Sequence, residues 1–417
     1  MSIIVESAAL SRGLKTIAPF APRFGAVPVL SSVVVEGHSG ALILRASDMD
    51  VEAAVTVPAD TNGTRLHTAI SGAGDLPRML RYAGAKTVTL DPVDESGTPG
   101  VRCRAQDLTV TPHAHHPDDH PSTLSASRAP LAWNALRLDL STEAMEALLN
   151  AAAFASTDET RFYLHGVAIQ RDPHGSPWAF RVCATSGYAL YMRTFSAPDA
   201  TTDAGWSGWD IIPQSAITRL RPLLRAALRD GEAVSMTLGT PPSANSVDAH
   251  STLTSPGRST ARRPTHAEFQ RGDWRVRTRL VDGMYPDVDR VVPGTKPMTQ
   301  VSFDRRALTT AAQALAGLAQ RRTTDRAVKI SLDGAGRCTL SRTVYEVGAC
   351  ETSLDYTPAP DAQALTFGLN VGLLLQALRQ FSGAETVVVQ AASDSDPVLL
   401  MAEDAPGLRV VIMPMRV

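Results

Sequence analysis

Residues 369–390 read LNVGLLLQALRQFSGAETVVVQ, an apolar helix pattern that runs directly into an alternating strand pattern. The same order appears at 75–90 (DLPRMLRYAGAKTVTL) and at 212–238 (IPQSAITRLRPLLRAALRDGEAVSMTL). Three occurrences of one helix–strand pattern in a single chain predict an internal repeat. This repeat decides the fold, because each copy has to bury the apolar side of its helix against its own strands.

Each of these segments has a counterpart about 70 residues earlier, where a short strand pattern leads into an apolar helix. The counterparts are 2–21 (SIIVESAALSRGLKTIAPFA), 136–155 (LRLDLSTEAMEALLNAAAFA) and 299–320 (TQVSFDRRALTTAAQALAGLAQ). Ser141 or Thr142 is the expected N-cap of the middle helix. With two helices and a β-rich stretch per copy, we expect an α+β fold with helices on one face of antiparallel sheets.

The repeat divides the 417-residue chain into three expected domains, 1–130, 131–297 and 298–417. The first boundary follows a stretch rich in Pro, His and Asp, and the second lies within the proline-interrupted VVPGTKPMTQ. Residues 239–266 are rich in Ser, Thr and Pro and form an expected insertion in the middle domain. A loop of this length is typically disordered or functional.

Composition indicates a soluble protein. Hydrophobic residues make up 44% of the chain, but no uninterrupted apolar run reaches the length of about 18 residues that a membrane span needs. Residues 1–15 lack the basic and apolar segments of a secretory signal, and the four cysteines are far apart without CxxC spacing. We therefore expect a reducing, cytoplasmic location. A net charge of −2 argues against coating nucleic acid through bulk positive charge, but it leaves room for a locally basic face.

Arginines are concentrated on the predicted helices. They are Arg78, Arg81, Arg219, Arg221, Arg225, Arg229, Arg305, Arg306, Arg321, Arg322 and Arg379. On a shared helical face they would attract a phosphate backbone without reading base sequence. The alternative is that each arginine is the solvated side of an amphipathic helix and covers the core with its stem. Glu143 and Glu146 make their helix an acidic exception.

The C-terminal segments FGLNVGLLLQALRQFSGAETVVVQ and LRVVIMPMRV resemble the end of the bacterial DNA polymerase III beta subunit, the replicative sliding clamp family. Further matches, in the same order along nearly the whole chain, are PVLSSVVVEG, ASDMDVEAAV, RFYLHGVAI, ATSGYALYM, IIPQSAITRLRPLL and LVDGMYPDVDRVVP. The resemblance implies a crescent of three like domains. Two such chains pair head to tail into a ring, with helices inside and sheets outside.

The function that this resemblance implies is that of a DNA sliding clamp, a processivity factor without a catalytic site, cofactor or metal of its own. The implied partners are double-stranded DNA bound without sequence preference, the DNA polymerase III alpha subunit, the clamp loader, other clamp-motif proteins and a second copy of the chain. The implied location is the cytoplasm, at the nucleoid. Because GxxxxGK[ST], GxSxG and HExxH patterns are absent, ATP-driven loading would come from a partner.

The resemblance also assigns two kinds of site. Arg23, Phe162 and Tyr163 match positions where the family touches DNA, and Arg219 and Arg221 are our further candidates for DNA contact. The pocket for a short partner peptide matches Leu164, Thr185, Gly187, Tyr188, Ala189, Leu190, Pro286, Val291, Val411, Met413, Pro414, Met415 and Arg416. Methionines suit such a pocket because they adapt to varied apolar side chains. The alternatives are that the aromatic pair and the methionine-rich terminal strand simply pack in the core.

Two departures from the family pattern affect these sites. ATSGYAL at 184–190 stands where the family usually has ATDGHRL, so that an acid, a histidine and an arginine are lost. This predicts altered peptide preference or resistance to compounds that occupy the pocket, and keeps open a specialised paralogue for repair or drug resistance. Gln214 and Ser215 replace a basic pair of the family, which predicts a weaker grip on DNA at that point.

The segment HAHHPDDH at 113–120 combines imidazoles and carboxylates, which suit zinc or another transition metal. A metal-dependent hydrolase is therefore an alternative function of a different class. The competing interpretation is a solvated loop, since Pro112 and Pro117 favour an exposed turn. Mutation of His115 and His116 with an activity screen would separate the two.

Overall fold

The structure is a computed structural model, and it describes residues 2–22, 27–121, 124, 131, 133–172, 175, 179–203, 206, 210–241, 263–294, 298–318 and 326–417. The predictions for Arg23, Arg321, Arg322, most of the 239–266 insertion and the two domain boundaries fall outside the described residues. The α-helices of the described residues are α1 (Ser7–Ile17), α2 (Leu76–Ala83), α3 (Thr142–Ala151), α4 (Gln214–Asp230), α5 (Arg305–Gly317) and α6 (Val371–Gln380). Short 3-10 helices are Ala18–Phe20, Pro28–Ser31, Pro117–Asp119, Ala152–Phe154, Glu159–Leu164 and Val288–Arg290.

The strands alternate with these helices along the chain. They are β1 (Ile3–Glu6), β2 (Ser32–His38), β3 (Ala41–Ser47), β4 (Val51–Asp60), β5 (Leu66–Ser71), β6 (Thr87–Glu95), β7 (Thr98–Ala105), β8 (Leu108–Val110), β9 (Ala114–His115), β10 (Trp133–Leu140), β11 (Gly166–Arg171), β12 (Ala179–Thr185), β13 (Ala189–Ser196), β14 (Thr201–Thr202), β15 (Asp210–Pro213), β16 (Val234–Thr240), β17 (His266–Arg271), β18 (Trp274–Arg279), β19 (Thr299–Asp304), β20 (Ala327–Leu332), β21 (Arg337–Val344), β22 (Gly348–Asp355), β23 (Thr357–Pro358), β24 (Leu365–Asn370), β25 (Thr386–Ala391), β26 (Val398–Met401) and β27 (Leu408–Ile412). All of the described strand pairs are antiparallel.

The predicted threefold repeat and the α+β fold class are confirmed. Each copy runs through a strand, a helix, four strands, a second helix and three strands, with two-residue strands added in places. The first strand of every copy pairs with the strand that follows the second helix, as β1–β6, β10–β16 and β19–β25. The second and fifth long strands also pair in every copy, as β2–β5, β11–β15 and β20–β24. Because the same strands pair in every copy, the three copies share one fold.

The chain packs into two compact units, of which the first contains residues 1–145, 197–207 and 215–280. Its sheet has 14 strands, and the main path runs β14-β10-β16-β17-β18-β4-β1-β6-β7-β8. Strand β18 of the middle copy joins β4 of the first copy, from Trp274 opposite Val55 to Thr278 opposite Val51. Helix α1 buries Leu10, an apolar residue on the side that faces this sheet.

The second unit contains residues 146–196, 208–214 and 281–417. It has a nine-stranded sheet in the order β15-β11-β12-β13-β27-β26-β25-β19-β23 and a four-stranded sheet in the order β22-β21-β20-β24. Asp304 is the N-cap of α5 and accepts from the backbone N–H of Ala307 at 2.6 Å. At the other end of α5, the buried guanidinium of Arg342 donates to the carbonyls of Leu315 and Leu318 at 2.9 and 2.7 Å. The predicted cap at Ser141 is also present on α3, where its hydroxyl accepts from Ala144 at 3.2 Å.

None of the helices among the described residues has both the length and the apolar character of a membrane span. The domain boundaries predicted at 130 and 297 stay predictions, because compactness divides the middle copy between the two units.

Candidate functional site

Some of the apolar residues predicted for the partner pocket lie together on one face of the nine-stranded sheet. The buried cluster there consists of Leu164, Ala168, Cys183, Leu190, Met192, Ile211, Tyr285, Val288, Leu399 and Val411. Three of the residues predicted from the sequence, Leu164, Leu190 and Val411, are among them. Alternate strand residues share this face because side chains of a strand point to opposite sides in turn, which also brings Cys183 and Met192 together. We name this surface the pocket face.

The turn between β12 and β13 borders the pocket face. The Thr185 hydroxyl accepts from the backbone N–H of Gly187 at 3.0 Å and donates to the Ala189 carbonyl at 2.8 Å, which closes the turn. Gly187 has a φ of 86°, a left-handed conformation that favours glycine. The Tyr188 side chain is 64% exposed, whereas Ala189 is buried. The site where the family has an arginine is therefore filled by a small buried side chain.

The C-terminal residues continue this border. The backbone N–H of Met413 donates to the Tyr188 carbonyl at 2.9 Å, and that of Met415 donates to the Gly368 carbonyl at 2.8 Å. A Cβ at Gly368 would overlap the Met415 carbonyl oxygen, so the terminal segment can approach β24 only because this residue is a glycine. Met413, Pro414 and Met415 are half-buried, and Arg416 is exposed.

A loop of residues 280–293 forms a further part of this surface. Its anchors are Tyr285 and Val288, whose side chains are buried in the cluster. The predicted pocket residues Pro286 and Val291 lie next to these anchors and remain exposed. Tyr285 and Val288 were not predicted from the sequence, although the apolar residues Tyr285, Val288 and Val291 recur there at every third position.

The buried cluster of the pocket face contains two titratable groups, a thiol and a phenol. Burial raises the pKa of the Cys183 thiol well above its ordinary value, and burial likewise raises the pKa of the Tyr285 phenol. Both groups are therefore neutral near pH 7. A neutral, apolar floor with methionines at its border suits aliphatic or aromatic side chains of a ligand.

The two aromatic residues predicted to touch DNA lie in the 3-10 helix Glu159–Leu164. Phe162 is 53% exposed, while Tyr163 packs against the buried cluster of the pocket face. Their rings meet edge to face with centroids 5.8 Å apart. Phe162 is thus available to a ligand, and the partly buried Tyr163 lies between it and the cluster.

On α4 the exposed residues form one stripe. They are Ser215, Thr218, Pro222, Arg225 and Arg229, at helical spacings of three and four, and Asp230 at the C-terminal end of the helix is exposed beside them. Arg219, one of the two DNA-contact candidates on this helix, is half-buried and pairs with Asp48, and Arg221 is half-buried. The Gln214 amide donates to the Ala152 carbonyl at 2.9 Å instead of extending from the helix. The predicted DNA contacts of Arg219 and Arg221 stay predictions, and Arg225 and Arg229 become stronger candidates.

Other helices expose basic residues in the same way. They are Arg12 and Lys15 on α1, Arg78 and Arg81 on α2, Arg306 on α5 and Arg379 on α6. Arg12 and Lys15 were missed in the sequence, although the helical period of α1 places them on the side away from Leu10 and Leu14. Helix α3 differs, because its exposed charged residue is Glu146.

The histidine-rich segment is more ordered than the solvated loop that was one of its two interpretations. His115 lies in β9, which pairs with β5, and Pro117 and His120 are buried. Burial, and then the charge of Arg45, lower the pKa of His120 to about 4. Across the described ranges, which include the whole of 113–120, no three His, Cys, Asp or Glu side chains form a group that could hold a metal ion.

The comparisons with known proteins agree with this architecture. The chain is 24% identical over 439 residues to the beta sliding clamp of Caulobacter vibrioides strain NA1000, with both chains covered completely. It is 25% identical over 423 residues to that of Pseudomonas putida, again with complete coverage, and 25% identical over 426 residues to that of Synechococcus elongatus, of which 99% is covered. No protein-family model matches the chain.

Solved structures share the fold. A sliding clamp (DNA polymerase III subunit beta) from Bartonella birtlesii, bound to griselimycin, has a TM-score of 0.82 at 23% identity, with complete coverage of both chains. The pol III beta of Caulobacter crescentus has a TM-score of 0.82 at 22% identity. The Thermotoga maritima DNA polymerase III beta subunit has a TM-score of 0.78 at 14% identity. The chain is thus similar in sequence to beta sliding clamps along its entire length and shares their fold.

Proposed function

We propose that this chain is a DNA sliding clamp: two copies close a ring around duplex DNA and hold the replicative polymerase and other proteins on it. In this role the chain is a processivity factor and performs no reaction of its own. It works at the nucleoid, in the cytoplasm.

Ring closure is supported by the way in which consecutive copies join. In both joints the last strand of one copy pairs with the fourth long strand of the copy before it, as β18 with β4 and β27 with β13. Strand β8 of the first copy and β22 of the third copy hold the corresponding positions, and each ends its sheet among the described strands. By the same rule, β8 of one protomer pairs with β22 of another, and two such joints close a ring without leaving these edges open.

The surface beside β8 has the character of a contact surface. Met79 and Tyr82 of α2 are 42% and 76% exposed, and with Leu108 they line a shallow groove. Large exposed apolar side chains next to an open strand edge are typical of a surface that a partner covers. Exposed Arg102 on β7 and exposed Glu351 on β22 have opposite charges, which favours a head-to-tail joint.

DNA contact is supported by the exposed basic residues of the helices, with Arg225 and Arg229 as the main candidates on α4. Cations spread over several helices bind phosphates without reading bases, which is what a protein that slides needs. Phe162 and Tyr163, together with Arg23 and the half-buried Arg219 and Arg221, stay in the proposal as further contacts.

Partner binding is supported by the neutral floor and methionine-rich border of the pocket face. We expect a short linear peptide to insert apolar side chains there, from the DNA polymerase III alpha subunit, the clamp loader or other clamp-motif proteins. The exposed Tyr188 and the small buried Ala189 change the border relative to the family pattern, so we expect a changed peptide preference. The curated relatives carry the plain name beta sliding clamp, so they do not favour the specialised repair or resistance role.

Retention on DNA of different topology tests the proposal. The purified protein is loaded by a bacterial clamp loader onto nicked circular DNA, and half of the sample is then cut once with a restriction enzyme. We expect the protein to stay with the circle during gel filtration and to leave the linear molecule. Equal retention on both forms, or retention on neither, would contradict encirclement.

A further inference from the structure

We infer that Arg181 and Asp289 form a positioning pair that fixes the 280–293 loop against the pocket face and thereby sets the affinity for the partner peptide. The inference rests on the proposed function of the pocket face and adds residues that neither the sequence pattern nor the family resemblance assigned to it.

Arg181 and Asp289 form a bidentate ion pair. Arg181 Nη1 donates to Asp289 Oδ1 at 2.7 Å, and Arg181 Nη2 donates to Asp289 Oδ2 at 2.8 Å. The Arg181 side chain is 4% exposed and that of Asp289 is 37% exposed, so the strand end of the pair is buried and the loop end reaches the surface. Two parallel hydrogen bonds fix both the distance and the orientation of the carboxylate.

The sheet holds Arg181 in place from its other sides. Arg181 Nη2 also donates to the Gln170 side-chain oxygen at 3.2 Å, and Nη1 lies 3.9 Å from the Met192 sulfur. Gln170 faces Arg181 across the β11–β12 pair, and Met192 belongs to the buried cluster of the pocket face. The guanidinium is therefore held by contacts to the sheet and offers the loop a fixed point.

The loop needs such a fixed point because its regular structure consists of the 3-10 helix Val288–Arg290 and a single β-bridge from Val281 to Ile211. Its apolar anchors Tyr285 and Val288 bind it to the cluster, but burial of apolar surface has no preferred direction and tolerates small shifts. Asp289 follows Val288 directly and stands two residues before the exposed Val291. The directional pair therefore decides where Val291, and with it Pro286, stand at the border of the pocket.

Two variants separate positioning from simple stabilisation. Asp289→Asn leaves the buried Arg181 charge without its carboxylate, so we expect a lower melting temperature. In the double variant Arg181→Met/Asp289→Asn the buried charge is gone, and replacing a buried charge by an apolar side chain of similar length recovers much of that loss. Arg337→Met is the matched control, because it breaks an exposed ion pair with Asp355 in the same unit by removing a guanidinium on β21.

The affinity probe is a short fluorescein-labelled peptide with adjacent Leu and Phe side chains, titrated by fluorescence anisotropy. We expect its dissociation constant to rise about fivefold or more in both the single and the double variant, and to stay unchanged in the control. Hydrogen exchange of the backbone amides in the 280–293 loop should become faster in both variants, with no change in the strands of the sheet.

The outcomes are distinct. If affinity recovers together with the melting temperature in the double variant, the pair only stabilises the fold and the inference is wrong. Unchanged affinity and unchanged loop exchange in the single variant also overturn it. If the unaltered protein does not bind the peptide at all, the proposed partner binding fails and the inference fails with it. If the unaltered protein binds the peptide, the proposed partner binding is upheld, and the variants then test the inference alone.

Discussion

Replacing Arg225 and Arg229 by glutamine should weaken DNA binding and reduce its dependence on salt. Both side chains lie on the exposed stripe of α4, so the double substitution removes two cations without opening the core. The neighbouring Arg219 is half-buried against Asp48 and should contribute less when it is replaced in the same way.

The magnitude follows from counterion release. Each phosphate neutralised by a cation contributes about 0.9 to the slope of log affinity against log salt, so the double variant should lose about 2 from that slope. A fourfold rise in salt, from about 50 to about 200 mM, should then cost the unaltered protein about tenfold more affinity than it costs the variant.

Fluorescence anisotropy with a labelled linear duplex at several salt concentrations measures this slope. The control is Arg65→Gln/Arg409→Gln, which makes the same change in net charge with exposed residues outside the helices. If the control lowers the slope as much as the α4 variant, overall charge and not a helical face binds DNA. If neither variant changes the slope, the assignment of the DNA-contact stripe is refuted.

Three further perturbations test the fold and the assembly. Burial and the charge of Arg45 lower the pKa of His120 from 6.5 to about 4, so the folded state favours the neutral ring. The contribution of His120 to the free energy of unfolding is therefore fully present above pH 6.5, and up to about 3 kcal/mol is lost as the pH drops to 4. Urea unfolding at several pH values should show this loss, and His120→Gln should show a smaller one. Met79→Glu/Tyr82→Glu puts charges beside β8 and should weaken dimerisation at least about tenfold in analytical ultracentrifugation, without lowering the melting temperature of the monomer. An unchanged dimer would exclude this groove from the joint. Arg342→Met removes both hydrogen bonds to the end of α5 and should cost about 2 to 3 kcal/mol in urea unfolding, whereas a cost below about 0.5 kcal/mol would show that water replaces the guanidinium.

The order of elements could be predicted from the sequence because it depends on local periods. The spacing of Leu10 and Leu14 in α1 and the alternation along β25 are visible within a few residues, and their threefold recurrence reinforces the prediction. The family resemblance then correctly indicated the fold, and it directed attention to Leu164, Leu190 and Val411, which the structure brings together.

Other features depend on contacts that no local pattern contains. Arg181 and Asp289 are 108 positions apart, and either could equally have been a solvated surface residue. The helical arginines show the same limit, because the sequence indicates that α4 is basic but not that Asp48, far away in the chain, takes Arg219 as a partner. Prediction from pattern therefore succeeds for elements and is weaker for the partners of charged side chains.

The repeated joint between copies has a kinetic consequence. In a closed dimer, six copies would meet at six joints of the same type, of which four are held together by chain connectivity and two, the β8–β22 joints, are free to separate. A duplex trapped inside could escape sideways only through one of these two seams. The lifetime of the protein on circular DNA would therefore equal the mean time before one of these two joints opens. Side chains along β8 and β22 would thus set the rate at which the whole assembly leaves the DNA.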